Sequence, residues 1–474
     1  MKGLKVVVLV IGFLFPFSGN GMGEEKALTL SQAVDSALQK NPTLKTADYI
    51  IEASKAKIGN ARSGLLPRID LYEGFTRTNN PMLAVGSKLN QEAFSSKDMA
   101  LNQLNNPSPI NNFNTRFIVT QPIFDQGKTW VGIRQAKIGS QATHEERMRV
   151  KQELIFEVIK TYSQGIRAQE DLNLAQKTET MAAAHVKLAE DLLQTGQAVK
   201  SDVLSAQVRL SEIKEMVIQA RNDVKIAHAA LNKVMGMNQN NNFSIQGDLA
   251  CTREEGDLNT LIAEALKKRP DLLAMNNYVR NGHEDVRMAK TNYLPAFHLM
   301  AQYDFNDRND AWGSEGESWT VGGIFQFNFF DGFSSTYKVK ETNAALMQLT
   351  SRQEELMSSI ELEVREAFHR CEEANEVVND AMAQAEESLR IVEDRYRVGL
   401  SRMIEVLDNE VALTKAKRNH LYALCDLKVA CAQLELARGV IIPPPEGESG
   451  KPGTGDEAGG EPVQITDNEQ GRQK

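Results

Sequence analysis

The sequence predicts a mainly α fold with a transmembrane β-barrel: long coiled-coil helices, four strands per chain and an internal two-fold sequence repeat. Three observations predict it. The chain repeats itself; each copy holds a very long proline-free stretch of mixed polarity; and ahead of each such stretch lie two segments whose hydropathy alternates residue by residue. At 474 residues the chain exceeds what one ordinary core needs, so two domains or a repeated architecture is expected from length alone.

The two ends are not part of that fold. Met1 to Lys5 is basic, Val6 to Phe17 is apolar, and Gly21 and Gly23 precede a cleavage point ahead of Glu24. This is the pattern of a secretory signal peptide over residues 1–23, too short and wrongly flanked for a membrane span. A buried N-terminal helix fits less well, because Lys2 and Lys5 precede the apolar run and Gly and Ser follow it. Lipid modification of the new N-terminus is not supported, since no cysteine sits near the cut. At the other end Pro443-Pro444-Pro445 stops a helix, and a tail over 442–474 with hardly an apolar residue is expected to be disordered. After the signal no run of 18 apolar residues exists, so no transmembrane helix is expected. The formal charge of -9 argues against a nucleic-acid partner, which would need a basic face. Cys251, Cys371, Cys425 and Cys431 show neither CxxC spacing nor nearby histidines and read as packing residues. Cys425 and Cys431 project from different faces of one helix and cannot bridge, whereas a link from Cys251 stays open.

The repeat sets the domains. Ala37-Leu38-Gln39-Lys40-Asn41-Pro42 lies over Ala265-Leu266-Lys267-Lys268-Arg269-Pro270, Leu66-Pro67 over Leu294-Pro295, and Phe124-Asp125 over Phe330-Asp331. Further on, Gly196, Leu204, Leu231 and Gly236 fall over Gly399, Leu407, Leu434 and Gly439. The division is a first repeat over 24–245 and a second over 246–441, each running helix, two strands, long helical hairpin.

The long stretches, Lys128 to Gln194 and Ser334 to Arg397, predict helices of about 100 Å. Each turns at a glycine, 196 or 399, into a shorter return helix with a heptad seam. Val203, Leu210, Val217, Val224 and Leu231 form one side of the first seam, with Ala206, Ile213, Ala220, Ala227 and Val234 beside them. Val406, Leu413, His420, Leu427 and Leu434 repeat it, and the alanines let helices approach closely. The return helix is about half as long as its partner. Helices over Pro42 to Leu66 and Pro270 to Leu294 have the missing length, so the two stacked end to end match the long one.

Strands fill the remaining segments. Phe297, Leu299, Ala301, Tyr303 and Phe305 alternate with polar residues, as do Trp319, Val321, Phe325, Phe327 and Phe329. Ile69, Leu71 and Phe75, then Phe113, Phe117, Val119 and Ile123, do the same in the first copy, where the connection 79–112 reads as a long polar external loop. Length, aromatic content and alternation are those of membrane-barrel strands, against the alternative of a half-buried hairpin in a soluble domain. Four strands cannot close. The edges must be shared with other chains, and a trimer would supply twelve.

By Ala-Leu-x-x-Asn/Arg-Pro at each repeat start, Leu-Pro before the strands, Phe330-Asp331-Gly332, and Tyr396-Arg397-Val398-Gly399-Leu400 leading into Glu405-Val406-Leu407-Asp408, the chain resembles the outer-membrane efflux protein family, the TolC-like outer-membrane channels. The resemblance covers nearly everything from Leu28 to Gly439. It implies a homotrimer whose twelve-stranded barrel in outer-membrane lipid continues as an α-helical tunnel across the periplasm, with an equatorial belt where helices are interrupted. It also implies a passive exit conduit of a tripartite efflux or type I secretion system, opened at its periplasmic tip by an adaptor (membrane fusion) protein and an inner-membrane efflux or ATP-driven transporter.

The same resemblance assigns the sites. Val398, Gly399 and Leu400 match the family's adaptor-contacting tip, while the first copy departs and reads Thr195-Gly196-Gln197, leaving Gly196 as its turn. Without the family each glycine is the left-handed cap a helical hairpin needs. Glu405 and Asp408, three apart on one helix face, match the acidic ring of the closed periplasmic gate, and Tyr396 with Asp202 matches a link between helix pairs. A second family link uses an Arg where this chain has Ser401 followed by Arg402. Read alone, the acidic pair is a feature of a first helical turn facing the helix dipole.

Two other classes fit worse. A periplasmic coiled-coil scaffold or binding protein explains the heptads but not four amphipathic strands in matched pairs. An exported enzyme lacks a motif: seven His show no HExxH and no metal spacing, and there is no GxSxG. No catalytic residue, cofactor or metal is expected.

Overall fold

The structure, a computed structural model of the chain, describes residues 27–245, 256–377, 382–397 and 400–443. The expected signal peptide over 1–23, Cys251 and the chain from residue 444 lie outside the described residues. The first half runs β1 (Ala27–Leu28), α1 (Leu30–Lys40), α2 (Pro42–Ser63), β2 (Arg68–Thr78), α3 (Pro81–Asn90), a 3-10 turn (Ser96–Met99), α4 (Leu101–Asn105), β3 (Ile110–Asp125), α5 (Lys128–Gln194) and α6 (Lys200–Val234). The second runs β4 (Ser244–Ile245), α7 (Leu258–Lys268), α8 (Pro270–Thr291), β5 (Ala296–Asp307), β6 (Gly316–Gln326), α9 (Ser334–Val377), α10 (Met382–Arg397) and α11 (Met403–Arg438).

Local chemistry sets these boundaries. Thr29 and Gln32 exchange hydrogen bonds in a capping box that starts α1. Asn41 ends α1 and caps α2, accepting from the Thr43 amide at 2.7 Å, with Pro42 in the first turn where its missing N–H costs nothing. α2 and α8 have 22 residues each and stop at Ser63 and Thr291, short of the expected Leu66 and Leu294. The physical reason is the following proline, which keeps the leucine out of the helical region. A tighter turn closes each end, with Leu66 N–H to Ser63 at 3.0 Å and Leu294 N–H to Thr291 at 2.9 Å.

α5 is one helix of 67 residues, about 100 Å at the standard rise. α2 lies along its sheet-proximal part, where Arg147 pairs with Asp48 at 2.6 Å and Ser54 donates to Ser140 at 3.0 Å. α6 covers the remainder, burying Val203, Ala206, Ile213, Val217, Ala220 and Leu231 of the expected seam. The Asn41 side-chain amide donates to the Val234 carbonyl at 2.7 Å, which joins the end of α6 to the start of α2 and makes the two partners one stacked column. The second half does the same with α8, α9 and α11, where Arg269 reaches the Ala437 carbonyl at 3.4 Å. The helix expected over Ser334 to Arg397 is seen as α9 and α10, with residues 378–381 outside the described ones.

β2, β3, β5 and β6 form one antiparallel sheet in that order. The register lines up Leu71, Phe117, Tyr303 and Trp319 across all four strands, and Ile69, Val119, Ala301 and Val321 in the next row of the same face. This face is apolar and open, with Ile69 69% and Trp319 72% exposed. The other face is polar: Arg116 pairs with Asp304 at 2.6 Å, and Asn114 and Asn112 donate to Asp304 and Asn306 at 3.1 and 3.0 Å. Among the described residues the sheet is open, with β2 and β6 at its edges.

The long polar connection 79–112 between β2 and β3 holds α3, the 3-10 turn and α4, and β3 already begins at Ile110. Asn80 and Pro81 start α3, and buried Gln91 reaches back to the Asn111 carbonyl and the Asn112 side chain at 2.7 Å each, tying the segment to β3.

Candidate functional site

The candidate site is the helical tip farthest from the sheet, where α5 turns into α6 and α10 leads to α11. A core of Ala189, Val203, Leu389, Tyr396, Met403, Val406, Leu407 and Leu413 packs the two hairpins together there. Gly196 is exposed, with φ +73°, the left-handed cap that lets the Gln197 N–H close onto the Leu192 carbonyl at 2.8 Å. The second hairpin uses the same closure, Leu400 N–H to Arg395 at 2.8 Å. Leu400 is 70% exposed, an apolar side chain at the turn, while Val398 and Gly399 lie outside the described residues.

The predicted gate residues lie on the helices that build this core: Asp202 on α6, Tyr396 on α10, and Glu405 and Asp408 on α11. Glu405 stands in the first turn of α11, accepts from the Ser401 hydroxyl and lies 3.9 Å from Arg402. Ser401 therefore folds back on its own helix, and the exposed Arg402 guanidinium faces the same carboxylate. Asp408, one turn on, is exposed. Tyr396 is 5% exposed and borders a cavity of about 450 Å³ that it shares with Met181, His185, Leu188, Glu393 and Val406. Burial raises its phenol pKa, and the Asp202 charge adds to the rise. Asp202 is thus within electrostatic reach, but the Tyr396 hydroxyl has no hydrogen-bond partner among the described residues, so one chain alone does not form the expected link.

One residue escaped the sequence reading. Glu410 is 1% exposed, and neither carboxylate oxygen has a hydrogen-bond partner among the described residues. Burial pushes its carboxyl up to about 7, with Arg209 on α6 pulling it down and Glu393 on α10 adding to the rise. Its signal was present: Glu410 falls four after Val406 and three before Leu413, inside the apolar stripe of α11. His185 on α5 stands 3.9 Å from Glu393 within the tip. Among the described residues no group of three His, Cys, Asp or Glu side chains is arranged to hold a metal ion, and no helix is long and apolar enough to cross a membrane.

The sequence profile described as "Outer membrane efflux protein" matches residues 33–237 and 261–440, most of both halves. The chain belongs to that family. It is 21% identical over 432 residues to outer membrane protein TolC of Vibrio cholerae, spanning 88% of this chain and 91% of that protein. It is 22% identical over 439 residues to the alkaline protease secretion protein AprF of Pseudomonas aeruginosa, covering 88% and 85%. Among solved structures, the outer-membrane channel OprN superposes with a TM-score of 0.72 at 19% identity, over 88% of this chain and 91% of that one. As an outer membrane efflux protein, the chain is an outer-membrane exit channel of the kind used in efflux and type I secretion, reaching from the membrane into the periplasm.

Proposed function

We propose that the chain, built as two repeats over 24–245 and 246–441, assembles as a homotrimer. Three open sheets join β2 to β6 into a twelve-stranded barrel, and the helices beneath form a periplasmic tunnel. The observation that carries this is the sheet itself: its two edges are unpaired among the described residues, one face is a row of exposed aromatic and aliphatic residues, and the other is a hydrogen-bonded polar layer. An isolated open sheet with such edges invites strand pairing, and closure among copies satisfies every edge while placing the apolar face in lipid and the polar face on a lumen. Trp319 and Val321 then face outer-membrane lipid.

At the tip, Leu400 with Val398 and Gly399, and Gly196 in the other hairpin, form the surface taken by a periplasmic adaptor, which joins the channel to an inner-membrane transporter. That transporter selects the cargo. Glu405 and Asp408 of three chains ring the closed mouth, where like charges attract cations and repel anions. Tyr396 and Asp202, within electrostatic reach of each other but not hydrogen-bonded within one chain, close the hairpins when that bond forms in the assembly. The chain itself performs no chemistry.

Planar-bilayer recording of the purified protein tests this reading. Resting conductance is expected to be small, cation-selective and sensitive to divalent ions, and Glu405→Ala with Asp408→Ala should weaken both selectivity and block. Unchanged selectivity in that variant removes the acidic ring from the proposal. Gly399→Glu should abolish export while native mass spectrometry in detergent still records a trimer; persistent export would reduce the tip to a plain helical turn.

A further inference from the structure

Two cysteines that the channel reading leaves without a role meet in the helical body. Cys371 extends the buried stripe Ile360, Val364, Ala367 along α9, and Cys431 lies on α11 against it. Their sulfurs are 3.4 Å apart, and both side chains are buried. A disulfide needs an S–S separation of about 2 Å, a closing movement of little more than an ångström that rotation of the two side chains can supply. Burial in an apolar helix interface shields the resulting bond from reductants, and the chain functions in a compartment where disulfides persist. Cys425 does not compete: it projects from another face of α11, and burial pushes its thiol up to about 11, where the reactive thiolate is scarce.

We propose that Cys371 and Cys431 are joined by an intramolecular disulfide in the exported protein. Forming it removes two protons and two electrons from the thiols, and the acceptor is a protein disulfide of the periplasmic dithiol–disulfide oxidase class. One cysteine thiolate attacks the acceptor's disulfide, expelling one acceptor sulfur and giving a mixed disulfide. The second cysteine then attacks its partner's sulfur, the mixed bond breaks, and the acceptor leaves as a dithiol. Because both sulfurs end up buried, the exchange takes place as α9 docks on α11.

The bond has a mechanical consequence. It pins α9 to α11 at a level about 45 Å from Leu400, given the helical rise over the intervening residues. Whatever opens the tip therefore bends or slides α10 and the first turns of α11 on the far side of a fixed point, and the sheet-proximal body stays closed.

Peptide mapping of the intact trimer decides the matter. The protein is taken from outer membranes under acid quench, unfolded, alkylated without reductant and digested with trypsin. The expected product is peptide 371–390 linked to peptide 429–438, lost on treatment with dithiothreitol. Recovery of both peptides unlinked and alkylated overturns the proposal, as does linkage of Cys431 to Cys251 or Cys425. Cys371→Ser should render Cys431 fully alkylated in the unfolded chain; protection of Cys431 in that variant also overturns it. The double variant Cys371→Ser with Cys431→Ser should still assemble, with a trimer that melts at lower temperature than the parent, and the parent's melting should fall to meet it when dithiothreitol is added during unfolding. Equal melting of parent and double variant without reductant counts against the bond.

Discussion

The two halves of the chain place matching elements in matching positions, yet they fill two equivalent positions with different chemistry. Where the return helix meets the start of the next column, the first half uses Asn41, a neutral amide that caps α2 and donates to the Val234 carbonyl. The second half uses Arg269, 1% exposed, whose guanidinium bonds Asp271 at 2.6 Å and also reaches Glu363. Near the tip, the position of Gln207, exposed and 3.3 Å from Glu190, corresponds to that of the buried Glu410. In both places a neutral amide in one half answers to a buried ionisable group in the other. A buried amide with its hydrogen bonds made is close to neutral in cost, whereas a buried charge holds only while its partners do. The second half is therefore the one whose stability depends on ionisation.

The difference predicts a ranking. Arg269→Ala should be the most damaging change, costing about 3–5 kcal/mol because it strands Asp271 and Glu363 beside a vacated buried site. Burial raises the Asp271 carboxyl, but the Arg269 bonds outweigh that and hold it below its ordinary value, so the variant should also shift the acid limb of unfolding. Arg269→Asn, copying the first half, restores a helix cap and should recover about 1 kcal/mol of the loss. The measure is the denaturant midpoint of the helical circular-dichroism signal. If Arg269→Asn matches the parent, the ion cluster adds nothing.

Next in size is the glycine facing each junction. Gly236, at φ +69°, would place a Cβ 2.7 Å from the Lys40 carbonyl, and Gly439, at φ +73°, 2.9 Å from the Arg269 Cα. Both alanine variants should lose about 2–4 kcal/mol from left-handed strain and contact with backbone, with Gly236→Ala the worse of the two. Equal midpoints for the two variants would show that strain outweighs the difference in contact.

Glu410 gives the pH test. Its packed-state pKa of about 7 lies above the ordinary 4.5, so the packed tip binds the proton more tightly than an opened one. Packing is thus fully stabilised below about 4.5 and weakens as the pH rises through 7. Glu410→Gln should remove this slope and strengthen the tip by about 2–3 kcal/mol at pH 8, read as amide-exchange protection of α10 and α11 corrected for intrinsic rates. Gln207→Glu, at the exposed counterpart, should change protection by less than about 0.5 kcal/mol. Asn41→Ala should cost about 1–2 kcal/mol for a lost cap and one buried bond, with no dependence on pH, which leaves Gln207→Glu as the smallest effect.

Much of the fold was legible because it rests on periodic signals. The seam residues Val203, Ile213, Val217 and Leu231 are buried as the heptad requires, and the alternation around Tyr303 and Trp319 marks the face they occupy. Helix ends were readable to within a turn, and the misjudged stop at Leu66 came from underrating the reach of Pro67. The short helices within 79–112, pinned by Gln91, were not legible because they carry no period long enough to detect. The gate residues were named by likeness to the family, and the structure sets Glu405 and Asp408 on α11 beside Ser401 and Arg402 without the Tyr396 to Asp202 bond.

The sequence by itself determined the matched halves, the long helices and the alternating strands, which follow from spacing along the chain, and pointed to the family through the motifs it resembles. Tertiary structure alone decided which side chains lose water. That Asn41 meets Val234, that Cys371 meets Cys431 and that Glu410 turns inward while Gln207 turns out are facts of packing between elements far apart in sequence. Local pattern fixes which face of a helix is apolar, but the partner across that face sets the desolvation and the field each ionisable group experiences, and hence its charge.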